Sequence, residues 1–344
     1  MMKIIIDCHG GDNSPHANVT GALNALRTLA ETEPDVRIVL VGNEDEILPL
    51  AEPYRDLSDR FEIVHAPGII TGEDKPTDAI RLKKDSSMIR AINILREDEE
   101  AKAIISAGST GALVAAATLR LGRIRGIKRP AFCPVFATMA GTVVGICDSG
   151  ANVDISSDML LQYAVMGSCY MESAYGIESP RVALLNIGTE TEKGDELRKE
   201  AFPKLSSLGC VNFVGNMESR DLLTGRYDLV VCDGFSGNVL IKTTEGTALQ
   251  LLKRLKSDIM KKKKYMFGAL FMKQLFAEER KLLDYQNYGG SALLGTSKIV
   301  IKGHGSSNVT AIAKSVETAV KLEKNGMIGK IKAALAGLPD GGED

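Results

Sequence analysis

The 344-residue sequence lacks the features that mark several large classes of protein. Its six cysteines lie far apart and form no C-x-x-C pair, so we expect buried thiols in a reducing cytoplasm, without a disulfide framework or a zinc site. Neither sign of charge is in excess, since 42 Lys+Arg nearly cancel 44 Asp+Glu, and general attraction to nucleic acid is unsupported. No apolar run approaches the roughly 18 residues of a membrane span. These absences favour a cytoplasmic globular protein that does not bind nucleic acid.

Signature motifs of nucleotide, metal and serine chemistry are also missing. No G-x-G-x-x-G is present, and residues 188–194 place lysine before glycine, the reverse of a P-loop. A nucleophile elbow, G-x-S-x-G, is absent too. The histidines show no spacing typical of metal ligands; they are His9, His16, His65 and His304. We therefore expect no cofactor, no catalytic metal and no covalent serine catalysis.

Hydrophobic periodicity predicts the fold class. Short runs rich in β-branched residues alternate with longer segments of helical period, which indicates a three-layer α/β/α fold with a mainly parallel sheet. No Pro- or Ser-rich linker divides the chain, so we expect one large α/β unit over residues 1–340, or two lobes with a cleft between them, and a disordered tail at 341–344. Strands are predicted at Lys3–Cys8, Arg37–Val41, Phe61–His65, Ala103–Ser106, Val143–Cys147, Arg181–Asn186, Tyr227–Cys232 and Ile299–Lys302. Helices are predicted at Ala17–Ala30, Gly111–Leu121, Asp158–Ala174, Asp195–Leu205, Val239–Lys256 and Asn308–Leu322.

Residues 257–286 differ in composition from the rest of the chain. Their mixed charge and helical periodicity, without strand signals, predict a helical segment that projects from the body. Four consecutive lysines precede apolar residues that gather on one helical face: Lys261, Lys262, Lys263 and Lys264, then Phe267, Leu270 and Phe271. Such a face suits an anionic membrane interface, an acidic carrier protein or apolar packing in a dimer, and the sequence leaves these alternatives open.

Six of the predicted strands run into turns rich in Gly, Ser, Thr, Asn and Asp. The carboxyl ends of parallel strands share one edge of a sheet, and ligands of such folds bind there. Glycine lets the main chain approach a ligand closely, and the N–H groups of a following helix attract an anion. We therefore expect these turns to form a phosphate or carboxylate site. Its candidate residues are Asp7, Gly10, Gly11, Asp12, Ser109, Thr110, Gly111, Asp148, Asn152, Asn186, Gly188, Thr189, Asp233, Ser236, Gly237, His304 and Ser306.

Each of these turns has a structural alternative. Gly and Asn also shape turns and cap helices without binding a ligand. Asp7, Asp148 and Asp233 each sit beside a cysteine at the end of an apolar run, and we expect at least one of them to be a structural cap. Paired carboxylates or a metal site among the three remain open on the sequence alone.

Lys193 is the cation within one of these turns, just before a predicted helix. An ammonium there could neutralise a phosphate or the oxyanion that develops in acyl transfer. The alternative is a solvated lysine paired with Glu190 or Glu192. Asn238 has two interpretations as well, as a helix N-cap or as a side-chain amide directed at the ligand.

The motifs around these residues resemble those of the PlsX family, the bacterial phosphate acyltransferases that make acyl phosphate from acyl-acyl carrier protein and inorganic phosphate. The match runs almost from end to end. Departures from the family pattern lie at His9, Ser109, Ser149 and within residues 288–292. The matching motifs are D-x-x-G-G-D-x-x-P (Asp7 to Pro15), S-A-G-x-T-G-A-L (Ser106 to Leu113), L-G-R-I-x-G-I-x-R-P-A (Leu121 to Ala131), D-x-G-A-N-V-D (Asp148 to Asp154), N-I-G-T-E (Asn186 to Glu190), G-N-x-E-S-R-D (Gly215 to Asp221), C-D-G-F-S-G-N-V-L-I-K (Cys232 to Lys242) and H-G-S-S-N (His304 to Asn308).

This resemblance implies a fold similar to isocitrate and isopropylmalate dehydrogenases and to phosphotransacetylases. It also implies a homodimer, peripheral association with the cytoplasmic membrane, acyl carrier protein and inorganic phosphate as substrates, and a downstream glycerol-3-phosphate acyltransferase in phospholipid biosynthesis. Lys193 and Asn238 are the positions that it marks as important in catalysis.

A mechanism that suits both lines of reasoning uses phosphate itself as the nucleophile, so the protein supplies orientation and charge stabilisation. Lys193 and Asn238 would stabilise the tetrahedral oxyanion while main-chain N–H groups and hydroxyls of the turns hold phosphate. The hydroxyl donors are Ser109, Thr110, Thr189 and Ser236.

Two other functions compete with acyl transfer. One is a nicotinamide-dependent hydroxy-acid dehydrogenase on the related fold, whose dinucleotide fingerprint is missing here. The other is a non-catalytic scaffold that carries the carrier protein to the membrane. Polar residues at so many strand ends argue against a scaffold, because a scaffold needs no anion pocket.

Overall fold

The computed structural model describes residues 1–276 and 288–336. Within these residues the strands form two sheets, each covered by helices on both faces, which confirms the predicted α/β/α class. The predicted tail at 341–344 lies outside the described residues, as does the part of the predicted projecting segment at 277–286.

The strands, in chain order, are β1 (Met2–Asp7), β2 (Val36–Gly42), β3 (Phe61–His65), β4 (Ala101–Ser106), β5 (Ala131–Cys133), β6 (Val135–Ala137), β7 (Val143–Cys147), β8 (Val182–Asn186), β9 (Phe213–Glu218), β10 (Leu229–Val231), β11 (Ser291–Leu294) and β12 (Ile299–Lys302). The described α-helices are α1 (His16–Thr28), α2 (Glu44–Ala51), α3 (Pro76–Leu82), α4 (Ser87–Glu97), α5 (Thr110–Ala116), α6 (Ser157–Tyr175), α7 (Glu196–Ser206), α8 (Gly234–Met260), α9 (Lys263–Phe271), α10 (Val309–Lys324) and α11 (Met327–Leu335). Short 3₁₀ turns cover Glu52–Leu57 and Ser219–Thr224, and a π turn covers Ala117–Leu121.

Each sheet has a parallel centre and an antiparallel edge. The first sheet has the order β3-β2-β1-β4-β12-β11-β5, in which β11 runs antiparallel to both of its neighbours and the other strands share one direction. The second has the order β6-β7-β10-β8-β9, with β6 antiparallel to β7. The register pairs Ile6 with Ile105 and Ser106 with Lys302, so the carboxyl ends of β1, β4 and β12 lie side by side.

Burial on both faces explains why the central strands are continuously apolar. In β1, Ile4 and Ile6 belong to one core, which they share with α1, α6 and α10, while Ile5 faces the opposite core beneath α4 and α5. Successive side chains of a strand point to opposite faces, so this division follows from the alternation of the strand. The run of three isoleucines is therefore a strand of a covered sheet.

The two sheets meet at a short passage of chain around Pro134. Strand β5 is an edge of the first sheet and β6 is an edge of the second, and Pro134 alone separates them. The carbonyl of Pro134 accepts a 3.0 Å hydrogen bond from the Ile146 N–H of β7. Helix α6 packs into the core that residues of both sheets share, with Tyr163 and Tyr170 almost fully buried.

Every strand and every helix predicted from the sequence is present, with boundaries shifted by a few residues. The expectation of a single sheet is wrong, because the strands divide between two. Strands β5, β6, β9 and β11 were not predicted. Helix α8 is longer than predicted, since it begins at Gly234 within a motif that was interpreted as a turn.

Two glycines of α8 should respond oppositely to alanine. A Cβ at Gly237 would overlap the carbonyl oxygen of Asp148, whereas a Cβ at Gly246 meets no atom within 4 Å. We expect Gly237→Ala to destabilise the protein by about 2 kcal/mol or more, because overpacking displaces the main chain. Gly246→Ala should stabilise it by about 0.5–1 kcal/mol through helix propensity. Thermal denaturation of both variants tests this, and equal midpoints would contradict the close contact between α8 and the turn after β7.

Candidate active site

A cavity of about 280 Å³ lies where elements of the two sheets come together. One side comes from β5 and the turn after β12, which belong to the first sheet. The other side comes from β6 of the second sheet and the first turns of α8. Lining residues include Thr110, Phe132, Val135, Phe136, Ser149, Asn238, Ile241, Lys302, His304 and the segment 288–291. The cavity thus has both polar and apolar walls.

The turns after β1, β4 and β12 converge beside this cavity. The Asp12 N–H donates a 2.7 Å hydrogen bond to the carbonyl of Gly305, which joins the first turn to the third. An added Cβ at Gly10 would lie 2.5 Å from the nitrogen of Gly108, so a side chain does not fit between the first turn and the second. Three of the six predicted turns are therefore neighbours at one edge of the first sheet.

The Asp7 carboxylate is buried beneath these turns. Its oxygens accept hydrogen bonds from the hydroxyl groups of Ser87 and Ser106, at 2.5 and 2.6 Å. Burial raises the pKa of Asp7, and the two hydroxyl donors oppose that rise without cancelling it. Through these two hydrogen bonds, Asp7 joins the end of β1 to the end of β4 and to the start of α4 beneath the turns.

The Asp148 carboxylate is fully buried after β7 and is surrounded by donors. It accepts main-chain N–H bonds from all four residues 149–152 and from Phe132 of β5. The Asn152 amide donates to the same carboxylate and to the carbonyl of Pro130. Burial raises the pKa of Asp148, against the opposing effect of these N–H donors. With both oxygens occupied, Asp148 holds the second sheet to the edge of the first.

Asp233 is the N-cap of α8, which confirms the expectation that one of the three aspartates is a structural cap. Its carboxylate accepts bonds from the N–H and the hydroxyl of Ser236, both at 2.8 Å. Burial alone would raise its pKa, but these donors and Arg198 lower it below the usual value. Asn238 lies one turn further along α8, so its N-cap interpretation is wrong, and the residue lines the cavity.

Lys193 lies on the exposed turn between β8 and α7 and does not line this cavity. Its side chain folds back over Gly188, where an added Cβ would be 3.0 Å from the Lys193 Cγ. The Asn186 amide donates a 2.9 Å bond to the Lys193 carbonyl and holds the turn closed. The described residues contain no ion pair between Lys193 and Glu190 or Glu192, so the pairing in that alternative is absent, whereas the lysine is exposed to solvent as that alternative expects.

Arg198, which sequence reasoning missed, connects this turn to the start of α8. Its guanidinium donates to the Asp233 carboxylate at 2.6 Å, to the Ser236 hydroxyl at 3.1 Å and to the Leu185 carbonyl at 2.9 Å. The arginine side chain is only 11% exposed. The spacing Asp195-x-x-Arg198 in the first turn of α7 was the available signal, since Asp195 caps the helix and pairs with the arginine.

Lys302 was also missed, although it ends the apolar run Ile299–Lys302 directly before a glycine-rich turn. It is buried at the cavity, and its ammonium donates to the carbonyls of Ala107 and Gly303. Burial lowers the pKa of Lys302 to about 8, and Asp7 and Asp12 limit the decrease. A cation that interrupts a buried strand at its last residue was the signal for this position.

Three of the predicted site residues line the cavity, namely Thr110, Asn238 and His304. The His304 Nδ1 lies 2.8 Å from the Ser306 hydroxyl, and burial lowers the pKa of the ring. Ser109 stands at the N-cap position of α5, where its side chain makes no capping bond. The structure thus gathers the turns of the first sheet and the start of α8 at the cavity, and joins the turn of Lys193 to them through Arg198.

Helix α9 presents an exposed apolar surface on the described chain. Phe267 and Phe271 are 67% and 76% exposed, and their rings meet edge to face with centroids 5.2 Å apart. Leu270 is exposed beside them, and so are the lysines at 261–264. The predicted apolar face and the predicted basic cluster therefore lie together at the surface.

Residues 1–276 and 288–336 contain neither a membrane-spanning helix nor a group of metal-binding side chains. None of the helices there combines the length and the apolar character needed to cross a membrane. Likewise, His, Cys, Asp and Glu side chains in those ranges do not gather in any group of three or more suited to a metal ion.

Comparison with known proteins shows the family to which the chain belongs. The model of the family described as "fatty acid synthesis protein" matches residues 2–330. A phosphate acyltransferase from Clostridium acetobutylicum is 44% identical over 337 residues, covering 98% of this chain and 100% of that protein. One from Halalkalibacterium halodurans is 43% identical over 343 residues, covering 100% and 99%. A solved phosphotransacetylase from Streptococcus pyogenes has a TM-score of 0.59 at 16% identity over 94% of each chain, so it shares the fold.

The resemblance to the PlsX family is thereby confirmed, and so is the phosphotransacetylase-like architecture. The matches extend over nearly the whole chain, so membership does not depend on a single motif. With its glycine-rich turns gathered at one cavity, this chain belongs to the fatty acid synthesis protein family of phosphate acyltransferases.

Proposed function

We propose that this chain converts an acyl-acyl carrier protein thioester and inorganic phosphate into acyl phosphate and free carrier protein. The names of relatives that match the whole chain support the reaction class. The observation that carries the proposal is the convergence of three glycine-rich turns and the start of α8 on one cavity with polar and apolar walls. The acyl phosphate is the substrate of a downstream glycerol-3-phosphate acyltransferase in phospholipid biosynthesis.

The reaction needs no covalent intermediate with the protein. An oxygen of hydrogen phosphate attacks the thioester carbonyl carbon and forms a C–O bond, which places negative charge on the carbonyl oxygen. Collapse of this intermediate breaks the C–S bond, and the leaving thiolate takes up the proton that hydrogen phosphate loses. Orientation of the two substrates and stabilisation of the oxyanion are the contributions left to the protein.

The cavity walls suit the two substrates. Thr110 and His304 lie on the wall made by the turns of the first sheet and are the hydrogen-bonding groups for phosphate. Asn238 lies on the wall made by α8, from which its amide can donate to the carbonyl oxygen. Phe132 and Phe136 form an apolar surface for the start of the acyl chain.

Lys193 is the second group that we place at the oxyanion. Its ammonium is exposed and pairs with no carboxylate among the described residues, so its charge is available to a substrate that approaches from solvent. Arg198 fixes the turn of Lys193 to the start of α8, which also carries Asn238. A carrier-bound thioester that enters along α8 would therefore meet both groups.

The proposed reaction is tested by incubating the protein with acyl-carrier thioester and labelled phosphate, with hydroxylamine to trap acyl phosphate as a hydroxamate. We expect label in acyl phosphate and one free carrier thiol for each product molecule. If acyl phosphate formed neither with long nor with medium acyl chains, the proposed function would be contradicted. Omission of phosphate serves as the control for simple thioester hydrolysis.

Lys193→Ala should lower kcat for acyl phosphate formation by about 10²–10³, the usual effect of removing one oxyanion donor. The matched control is Lys199→Ala, because Lys199 is also exposed and lies on the adjoining helix, where it pairs with Glu196. We expect its kcat to stay within about twofold of the unmodified protein. A loss of only a few-fold in a correctly folded Lys193→Ala protein would remove Lys193 from the mechanism.

We propose that the exposed apolar surfaces serve a homodimer and a membrane. Leu251 and Leu255, four positions apart on one face of α8, are 68% and 45% exposed, which is unusual for the middle of a long helix unless a partner covers it. A second copy of the chain suits this apolar face of α8. Helix α9 carries aromatic side chains and two lysines, and two more lysines directly precede it; this combination suits the interface of an anionic membrane.

The double variant Phe267→Glu, Phe271→Glu should lose most of its binding to vesicles that contain anionic lipid, because charge replaces the inserted rings. Leu48→Glu, Leu119→Glu is the matched control, since both leucines are exposed on other helices. Sedimentation with vesicles at low and high salt measures the effect, and binding of the native protein should weaken as salt rises. Unchanged vesicle binding by the α9 variant would refute the membrane assignment, and a shift from dimer to monomer in light scattering would assign α9 to the dimer.

A further inference from the structure

Lys302 is a buried cation that makes no ion pair with a carboxylate of the described residues. The residue is 9% exposed, and no acidic side chain of the described residues lies within 4.0 Å of its ammonium. The nearest carboxylates have other partners or remain at a distance: Asp7 is occupied by two serine hydroxyls, and Asp12 acts only through its charge. Burial of an unpaired charge is unfavourable, so a lysine kept in this state points to a functional site.

The hydrogen bonds of the Lys302 ammonium leave one donor for a ligand. An ammonium has three N–H donors, and among the described residues those of Lys302 have two acceptors, the carbonyl of Ala107 at 3.3 Å and the carbonyl of Gly303. These two acceptors belong to the turns after β4 and β12, which frame the polar wall. Lys302 itself lines the cavity beside His304 and Thr110.

Lys298, which directly precedes β12, is a buried lysine with a structural role and serves as a comparison for Lys302. It lies just before β12, at the opposite end from the cavity, and donates a 2.7 Å bond to the carbonyl of Ala101. Burial lowers the pKa of Lys298 as well, but the residue is not part of the cavity lining. Both lysines are buried and donate to a carbonyl, so these features do not distinguish Lys302 from Lys298. The difference between them is that Lys302 lies on the polar wall of the cavity.

We propose that Lys302 is the phosphate-binding cation of this cavity, and that its ammonium donates to an oxygen of the attacking inorganic phosphate. This inference rests on the proposed acyl transfer and identifies the residue that holds its nucleophile. A phosphate group is also present in the pantetheine arm of a carrier protein. The position of Lys302 on the wall formed by the turn after β12 and the start of α5, beside His304 and Thr110, favours inorganic phosphate.

The charges around Lys302 agree with this assignment. Burial lowers the pKa of Lys302 to about 8, and the negative charges of Asp7 and Asp12 oppose this decrease. Burial lowers the pKa of His304, Lys242 and Lys302 add to this effect, and Glu245, which pairs with Lys242 at 3.1 Å, opposes it. A bound phosphate dianion would supply negative charge beside Lys302 and would raise the pKa of its ammonium.

Binding of inorganic phosphate, measured by calorimetry without an acyl donor, tests the assignment directly. We expect Lys302→Met to raise the Kd for phosphate by about 10- to 100-fold, as for loss of one hydrogen bond from a charged donor. Lys302→Arg, which keeps the charge, should lose less, and Lys298→Met should bind phosphate as the native protein does. A Kd within twofold of the native value in Lys302→Met would overturn the proposal.

Kinetics separate the two sources of phosphate. In the acyl phosphate assay, Lys302→Met should raise the KM for inorganic phosphate by a similar factor and leave the KM for the acyl-carrier thioester within about threefold. The opposite pattern would overturn the proposal in favour of the pantetheine phosphate. Calorimetry needs no acyl donor. If the protein failed to catalyse acyl transfer, its phosphate binding could therefore still be measured, and failure of the proposed function would be distinguished from failure of the Lys302 assignment.

A measurement on the native protein covers the case in which Lys302→Met does not fold. At pH 8.5 the empty site holds Lys302 largely neutral, because its pKa is about 8, and bound phosphate raises that pKa. Calorimetry in buffers of different ionisation enthalpy should therefore show proton uptake on binding, and Lys302→Arg should show none. Phosphate binding without proton uptake by the native protein would overturn the proposal.

Discussion

The buried carboxylate of Asp148 holds the two sheets in a fixed relation, and the cavity depends on that relation. Its donors come from the turn after β7 and from Phe132 at the edge of the other sheet. Hydrogen bonds to a charged group contribute about 1.5–3 kcal/mol each, so several together offset part of the desolvation of this carboxylate, although burial still raises its pKa. Gly237 allows α8 to pack directly on the carbonyl of the same aspartate. The wall that carries Asn238 is therefore placed by the same residue that joins the sheets.

The polar residues of this protein divide into those that build the turns and those that face the ligand. Asp7, Asp148 and Asp233 all use their oxygens in hydrogen bonds within the protein, so they shape the turns. Two lysines differ from them: Lys302 lies in the cavity wall and Lys193 lies in solvent on the turn before α7, and neither makes an ion pair with a carboxylate of the described residues. This distribution of charge favours an anionic substrate.

Much of the fold could be predicted because each central strand is a short apolar run that ends in a polar turn. The strands that escaped prediction were short or atypical: β5 and β6 have three residues each and flank Pro134, so neither offers a periodic signal. The aspartates were visible as site residues, but their occupied oxygens depend on tertiary neighbours such as Ser87 that lie far away in the sequence. Arg198 and Lys302 were missed because a cation in a sequence normally lies at the surface; the spacing from Asp195 and the end of an apolar run were weak local signals, and distant segments bury both side chains.

Helix α8 also sets a length scale for lipid synthesis. From Asn238 at the cavity to Met260 beside the basic cluster, the helix advances about 33 Å along its axis, at 1.5 Å per residue. With lipid at α9, as proposed above, the reactive mixed anhydride would form about 33 Å from that lipid along the helix. Its exposure to water over this distance would make a short route to the next enzyme advantageous.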